Sequence, residues 1–141
     1  NQYAVSTTAD EATGEPRLSA RGPGFKIPSW QVDGMDPLAV YLATKQAVEH
    51  MRKGNGPTMI EANVYRYFHQ NGPFPGSAFG YRDKAEEAKW RERDPIQKLE
   101  SELTRRKLVS KDDLVNLRKK SQKVMSDVSS ELLEPDPKAE E

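Results

Sequence analysis

The pattern of apolar and polar residues predicts a strand, a helix and a second strand in the first half of the chain. Ser29 to Val32 is a short extended segment that ends at an Asp-Gly turn. The pair Asp36-Pro37 starts a helix, because Asp is a favoured N-cap and Pro suits the first helical position. Thr58 to Tyr65 alternates apolar and polar residues and forms the second strand. This order indicates a βαβ unit with a parallel sheet and a right-handed crossover.

The predicted helix has one apolar face made mostly of small side chains, so this face can lie close to a sheet. Lys53 and Gly54 end the helix, because a cation suits its carbonyl end and glycine suits the position after it. The predicted face consists of Val40, Ala43, Thr44, Ala47 and Met51.

Two irregular segments lie on either side of the βαβ unit. Residues 3–7 are predicted as a short strand end that runs into a loop over residues 8–28. Residues 67–82 fit neither the helical nor the strand period, although they contain three phenylalanines. A connection as long as residues 8–28 is usually functional or mobile in compact domains, and the aromatic content of residues 67–82 is unlike that of a solvated linker.

Three helices are predicted after the second irregular segment, and the last of them is the longest. Their starting pairs are Asp83 with Glu86, Asp94 with Pro95, and Ser110 with Asp113. The last helix has a one-sided stripe that consists of Leu114, Leu117, Ser121, Val124, Val128 and Leu132. Pro135 is predicted to end this helix, and the acidic tail that follows is predicted to be disordered.

Composition narrows the possible partners. The 22 basic and 22 acidic residues give zero net charge, so neither nucleic acid nor a membrane is expected as a partner. The absence of cysteine excludes disulfides and thiolate metal sites. No run of about 20 apolar residues is present to span a bilayer, and a soluble, intracellular setting is expected. Since only 35% of residues are hydrophobic, we expect disordered segments or apolar faces that pack against another chain.

Seven short segments lie in a characteristic order along residues 1 to about 125, each occurring once. They are Asn-Gln-Tyr-Ala-Val-Ser-Thr at 1–7, Ala-Arg-Gly-Pro-Gly at 20–24, Val-Asp-Gly-Met-Asp at 32–36, Gly56-Pro57 with Glu61, Tyr65-Arg66-Tyr67, Tyr81-Arg82, and Asp94-Pro95. In order and spacing they resemble the alpha subunit of the thiamine-diphosphate-dependent first component of 2-oxo acid dehydrogenase complexes. Members of that family act on pyruvate, branched-chain 2-oxo acids or acetoin.

The resemblance implies an α/β fold. The chain would be the C-terminal portion of a thiamine-diphosphate-binding fold, in which helices flank a parallel sheet, followed by a mobile loop and C-terminal helices. Residues 1–66 would end the domain that binds the cofactor diphosphate, and 67–82 would be an active-site loop. Residues 83–134 would be the C-terminal helical region, and 135–141 the disordered acidic tail.

The resemblance also implies a magnesium site. In the family, Mg²⁺ holds the cofactor diphosphate through an Asp in a Gly-Asp-Gly segment, an Asn, and a main-chain carbonyl two residues past that Asn. By position, Asn1 resembles the asparagine and Tyr3 the residue that supplies the carbonyl, and Ala4 is expected at the cofactor beside them. Such hard oxygen donors suit Mg²⁺. Since Gly-Asp-Gly does not occur in this sequence, the chain is expected to be incomplete alone.

A second implied site is the histidine of the 67–82 loop. Family members carry His-Gly-His or Gly-His-His there, whereas this loop has His69 alone, and an ungapped alignment puts Gln70 where a histidine often lies. His69 is predicted to contact the cofactor and to act as a general acid/base or hydrogen-bond donor. The alternative is that His69 only packs among the phenylalanines. Arg66 and Arg82 are predicted to anchor the loop ends through ion pairs, and Glu61 to satisfy buried neighbours.

The function implied is oxidative decarboxylation of a 2-oxo acid, followed by passage of the acyl group to a lipoyl carrier. The implied partners are the upstream alpha-subunit portion that carries Gly-Asp-Gly, a beta subunit and a lipoyl-bearing acyltransferase. The expected compartment is the cytoplasm, or the mitochondrial matrix for a eukaryotic chain. Two alternatives stay open: an acetoin-type dehydrogenase, and a non-catalytic interaction or scaffold chain derived from this fold.

Overall fold

The computed structural model describes residues 1–133 of the chain. Two compact units divide the chain: the first comprises residues 1–98, and the second begins at Leu99. The strands are β1 (Tyr3–Ala4), β2 (Thr7–Thr8), β3 (Ser29–Asp33) and β4 (Met59–Asn63). The α-helices are α1 (Ala9–Ala12), α2 (Pro37–Arg52), α3 (Lys84–Arg91), α4 (Pro95–Arg105) and α5 (Lys111–Leu133), and a 3-10 helix covers Leu18–Phe25.

The predicted βαβ unit is present. Strands β3 and β4 pair in parallel over five residues each, from Ser29 opposite Met59 to Asp33 opposite Asn63. Helix α2 connects the two strands. Strand β4 is shorter than predicted, because the chain leaves the ladder after Asn63. Gly34, directly after β3, lies against the end of β4. A Cβ atom at this position would lie 2.7 Å from the Asn63 carbonyl oxygen, which explains why glycine occupies this turn.

Helix α2 begins as predicted but buries a slightly different face. The Asp36 carboxylate accepts hydrogen bonds from the backbone N–H groups of Leu38 and Ala39, so Asp36 is the N-cap. Ala47 is buried, whereas Thr44 and Met51 of the predicted face are exposed. A two-stranded sheet covers only a narrow strip of a helix, and these two positions lie outside it.

The prediction of an irregular loop over residues 8–28 was wrong in part. This stretch begins with β2, which pairs antiparallel with β1, and continues into α1 and the 3-10 helix. Thr8 and Glu11 form a reciprocal capping box at the start of α1. The Thr-x-x-Glu signal was in the sequence, but a helix of four residues is too short to show a period.

The C-terminal helices begin at the predicted residues. Asp94 caps α4, and Ser110 and Asp113 form a reciprocal capping box at the start of α5. None of the residues of α5 is buried, so its apolar stripe lies at the surface of the second unit. The predicted stop at Pro135 and the predicted tail at 135–141 lie outside the described residues. None of the helices within residues 1–133 is long and apolar enough to cross a membrane.

Candidate functional site

The 67–82 loop folds back on itself. Phe68 and Pro75 form an antiparallel bridge, and the His69 N–H donates to the Phe74 carbonyl at 2.8 Å. The Gly76 N–H donates to the Tyr67 carbonyl, also at 2.8 Å. The segment therefore has defined backbone hydrogen bonds although it is neither helix nor strand, and its mobility stays a prediction.

The Arg82 side chain lies among three tyrosines and connects the two ends of this loop. Its side chain is 3% exposed, and Nη1 donates to the Arg66 carbonyl at 2.7 Å. The guanidinium carbon lies 4.7, 5.3 and 5.6 Å from the ring centres of Tyr3, Tyr65 and Tyr81, which is within cation–π range. We call these three rings around Arg82 the tyrosine cage. It joins the start of the chain, the end of the β4 segment and the end of the loop.

The predicted ion pairs of Arg66 and Arg82 are not formed. Within the part of the chain that the structure describes, neither guanidinium pairs with a carboxylate. A carbonyl and three ring faces take that role for Arg82, and these groups stabilise a cation without the cost of burying a carboxylate. Arg82 thus connects the loop ends through a different interaction, whereas the Arg66 guanidinium makes no such contact within residues 1–133.

Tyr3 links strand β1 to helix α3. Its hydroxyl donates to Oε2 of Glu86 at 2.7 Å, across 83 residues of sequence. This hydrogen bond, together with burial, raises the pKa of Tyr3 to about 12. Glu86 was predicted to complete a capping box with Asp83, but Asp83 alone caps α3, through the Ala85 N–H. The Glu86 carboxylate accepts from the Tyr3 hydroxyl in place of the Asp83 backbone N–H that a capping box would use.

His69 is buried, with 8% of its surface exposed, and its two ring nitrogens are inequivalent. Nδ1 accepts a hydrogen bond from the Asn71 N–H at 3.2 Å, which places the proton of the neutral ring on Nε2. The ring packs 4.4 Å from Phe79 and 5.9 Å from Tyr81. The packing interpretation is thus supported at Phe79, and the orientation also suits a hydrogen-bond donor through Nε2.

The other predicted cofactor residues lie at the start of the chain. Asn1 and Ala4 are exposed, and the Asn1 side-chain oxygen accepts a hydrogen bond from the Tyr3 N–H at 2.9 Å. Val5, in the turn between β1 and β2, has a φ of 55°. Left-handed backbone is strained for a β-branched residue, and such strain often accompanies binding segments.

Glu87 is a site residue that sequence reasoning missed. It is buried, its Oε1 pairs with Arg91 at 2.8 Å, and its Oε2 accepts from the Ser77 N–H at 3.2 Å. Burial raises the pKa of Glu87, but the hydrogen bonds from Arg91 and Ser77 outweigh burial and hold that pKa below its ordinary value. The Glu87-Arg91 spacing was a helical ion-pair signal, yet nothing in the sequence indicated the bond to the loop.

Glu61 behaves as predicted. Its Oε2 accepts a hydrogen bond from the Ser19 N–H at 2.7 Å, so it satisfies a backbone group of the 3-10 helix. Burial raises the pKa of Glu61, but the hydrogen bonds from Ser19 prevail and lower that pKa. Its contacts are those of a residue that holds the 3-10 helix on strand β4.

Comparison with known proteins gives a consistent family. The family model described as "Dehydrogenase E1 component" matches residues 1–138. The chain is 38% identical over 138 residues to the "Pyruvate dehydrogenase E1 component subunit alpha" of Rhizobium meliloti (strain 1021), covering 97% of this chain and 38% of that protein.

Two further relatives carry related names. The chain is 43% identical over 104 residues to the "Pyruvate dehydrogenase E1 component subunit alpha" of Acholeplasma laidlawii, covering 73% of this chain and 30% of the relative. It is 38% identical over 120 residues to the "Pyruvate dehydrogenase E1 component subunit alpha-3, chloroplastic" of Arabidopsis thaliana, covering 85% and 27%. The chain thus spans between 27% and 38% of the length of these relatives.

Proposed function

The chain belongs to the dehydrogenase E1 component family, and from this premise we propose that it forms part of a thiamine-diphosphate-dependent dehydrogenase of 2-oxo acids. The proposed reaction is oxidative decarboxylation of a 2-oxo acid, with passage of the acyl group to a lipoyl carrier. Thiamine diphosphate, when bound, supplies the carbanion that attacks the substrate carbonyl. The residues of this chain contribute binding, orientation and proton control.

Asn1 and Tyr3 are proposed to bind Mg²⁺, which would hold the cofactor diphosphate. The donors are the Asn1 side-chain oxygen and the Tyr3 main-chain carbonyl, and both are hard oxygens of the kind that Mg²⁺ prefers. The Asn1 oxygen accepts one backbone hydrogen bond and retains a second lone pair for a metal. Its exposure leaves room for a diphosphate, and Ala4 is proposed to contact the cofactor next to it.

His69 is proposed to act at the cofactor as a general acid/base or as a hydrogen-bond donor. Its Nδ1 accepts a hydrogen bond from the Asn71 N–H, so Nε2 carries the ring N–H and can donate a hydrogen bond. The close contact with Phe79 restricts ring rotation and excludes water from that face. An Nε2–H group held in one orientation is suited to donating a hydrogen bond to an oxygen atom at the cofactor.

One observation carries the proposal: the two predicted sites converge on the same tyrosine. The Tyr81 ring centre lies 6.5 Å from that of Tyr3 and 5.9 Å from that of His69. The proposed metal-binding residue and the proposed catalytic histidine are 66 positions apart in sequence (69 − 3), yet both contact Tyr81. This proximity supports the proposal, because a single cofactor site formed by both segments requires them to lie close together.

The proposed partners are an upstream alpha-subunit portion with the Gly-Asp-Gly segment, a beta subunit and a lipoyl-bearing acyltransferase. The relatives are named as alpha subunits of an E1 component, which supports an assembly with companion chains. The proposed compartment is the bacterial cytoplasm, and the bacterial origin of two of the relatives supports it.

The test is dye-coupled oxidation of pyruvate, branched-chain 2-oxo acids and acetoin by the assembly with which the chain copurifies. Each substrate is assayed with and without thiamine diphosphate and MgCl₂. We expect turnover of one 2-oxo acid that requires both additions. Turnover of acetoin alone would revise the substrate class. No turnover with every companion chain and cofactor present would contradict the proposal and favour a scaffold chain.

A further inference from the structure

The side chain of Tyr3 has no role in the proposed metal site, because only its main-chain carbonyl would bind Mg²⁺. Any residue could supply that carbonyl. Nevertheless the tyrosine side chain is held on two sides, by the last residue of the 67–82 loop and by a residue of helix α3. Glu86 accepts its hydroxyl at 2.7 Å, and the Arg82 guanidinium carbon lies 4.7 Å from its ring centre.

We infer that Glu86 and Arg82 are positioning residues that couple the 67–82 loop to the metal-binding carbonyl of Tyr3. This inference rests on the proposed function, since it assigns a role to the contacts of a proposed metal-binding residue. Through the ring of Tyr3, a change in the backbone of β1 moves the end of the loop. Through the same ring, closure of the loop fixes the position of the carbonyl.

The contacts on the loop side complete the connection. Arg82 Nη1 donates to the Arg66 carbonyl at one end of the loop, and its guanidinium lies beside Tyr81 at the other end. The His69 ring packs against Tyr81, at 5.9 Å between ring centres. A continuous set of buried or half-buried contacts therefore runs from Tyr3 to the loop histidine.

The arrangement of charges makes this coupling specific. Arg82 is buried without a carboxylate partner in residues 1–133, so the ring faces of the tyrosine cage contribute to holding its charge. A displaced Tyr3 ring would weaken one of those faces and free the Glu86 carboxylate. Coupling of binding free energies is reciprocal, so a loop that is held closed should also strengthen Mg²⁺ binding.

The test uses the full chain with the subunits that copurify with it. Hydrogen exchange is measured at the Gly76 amide, which donates to Tyr67 within the loop, with and without MgCl₂ and thiamine diphosphate. The variants are Tyr3→Phe, which keeps the carbonyl and the ring, and Glu86→Ala, together with the double variant. Tyr41→Phe is the matched control, because Tyr41 is 62% exposed.

In the wild type, the additions should slow exchange at Gly76. In Tyr3→Phe and Glu86→Ala the ratio of the exchange rates without and with the additions should be about tenfold smaller. That factor is the size expected for one hydrogen bond to a charged group. The double variant should match either single variant, since both remove the same bond. Glu86→Gln, whose side chain can still accept the hydroxyl, should restore part of the slowing, and Tyr41→Phe should behave as wild type.

The outcomes separate this inference from the proposed function. Undiminished slowing in Tyr3→Phe, or additive effects in the double variant, would overturn the coupling and leave the proposed function intact. A wild-type loop that does not respond to MgCl₂ and thiamine diphosphate would overturn the coupling, and the turnover assay would still decide the proposed function separately. If Glu86→Ala does not fold, Tyr3→Phe still decides the question, because it removes a single oxygen atom.

Discussion

The 67–82 loop and helix α5 show opposite relations between sequence pattern and packing. The loop has no hydrophobic period, yet His69 is buried within it and Arg82 is buried at its end. Helix α5 has a one-sided apolar stripe along its length, yet none of its residues is buried within the second unit. Hydrophobic spacing therefore predicted the longer helices and the buried position of Ala47, but it did not predict that His69 and Arg82 are buried.

The physical difference lies in what each segment uses to hold its side chains. The loop combines aromatic rings with a cation and with backbone hydrogen bonds, as in the Arg82 contact with the Arg66 carbonyl. These interactions are directional and need no repeat along the chain. Helix α5 relies on intrahelical hydrogen bonds, a capping box and surface ion pairs such as Lys123–Asp127. Exposed pairs of this kind contribute little to stability.

The largest effect on stability is expected at the tyrosine cage. Arg82→Ala removes a buried hydrogen bond and three ring contacts and leaves a cavity, so it should lower the free energy of unfolding by about 3 kcal/mol. Urea denaturation followed by tryptophan fluorescence measures this loss, since Trp90 stacks on Tyr65. Arg21→Ala is the control, because Arg21 is exposed and its loss should cost less than about 0.5 kcal/mol. Equal losses would break the contrast.

A comparable effect on turnover is expected at His69. His69→Ala should lower turnover of the assembly on the order of 10²-fold, the scale of a lost acid/base group, while assembly is retained. Turnover and size-exclusion profiles measured on the same preparation test this. His50→Ala, in the last turn of α2, is the matched control and should leave turnover unchanged. Unchanged turnover in His69→Ala would return that residue to a packing role.

A smaller, pH-dependent effect is expected at Glu87. Because its folded-state pKa is below the ordinary value of 4.5, Glu87 stabilises the fold fully above about pH 4.5. That contribution is lost as the pH falls through the folded-state pKa. Glu87→Gln should therefore cost about 1 kcal/mol at pH 7, an amount reduced by the partial exposure of Arg91, and nothing once wild-type Glu87 is protonated. Unfolding curves of wild type and Glu87→Gln, measured from pH 7 to below about pH 4.5, give the difference in free energy of unfolding at each pH.

Glu49→Gln serves as the control for this pH profile, since Glu49 is exposed on α2. Its unfolding curve should follow that of the wild type at every pH. The opposite result is a loss in free energy of unfolding, caused by Glu87→Gln, that stays constant from pH 7 to low pH. That result would show that the charge of Glu87 does not contribute to its interaction with Ser77.

The sequence predicted the helices and strands better than it predicted the long-range contacts around the 67–82 loop. Residue spacing was sufficient for α2 and the parallel pairing of β3 and β4, because both depend on local patterns and on a connection rule. The tyrosine cage was not predictable, because it brings Tyr3 together with residues that lie more than 60 positions away in the sequence. The hydrogen bond of Tyr3 with Glu86 even displaced a local capping pattern. Long-range contacts of this kind leave no period in a single sequence.

The smallest effect is expected on α5, where Val124 is 51% exposed. Val124→Ala gives up part of a side chain that is already half in water, and alanine is the better helix former, so the two terms nearly cancel within about 0.5 kcal/mol. Val40→Ala, on the half-buried face of α2, should cost about 1 kcal/mol by the same urea measurement. A loss at Val124 above about 1 kcal/mol would mean that the stripe of α5 is covered in solution. The contrast between the loop and the helix would then belong to the isolated units and not to the protein in its working assembly.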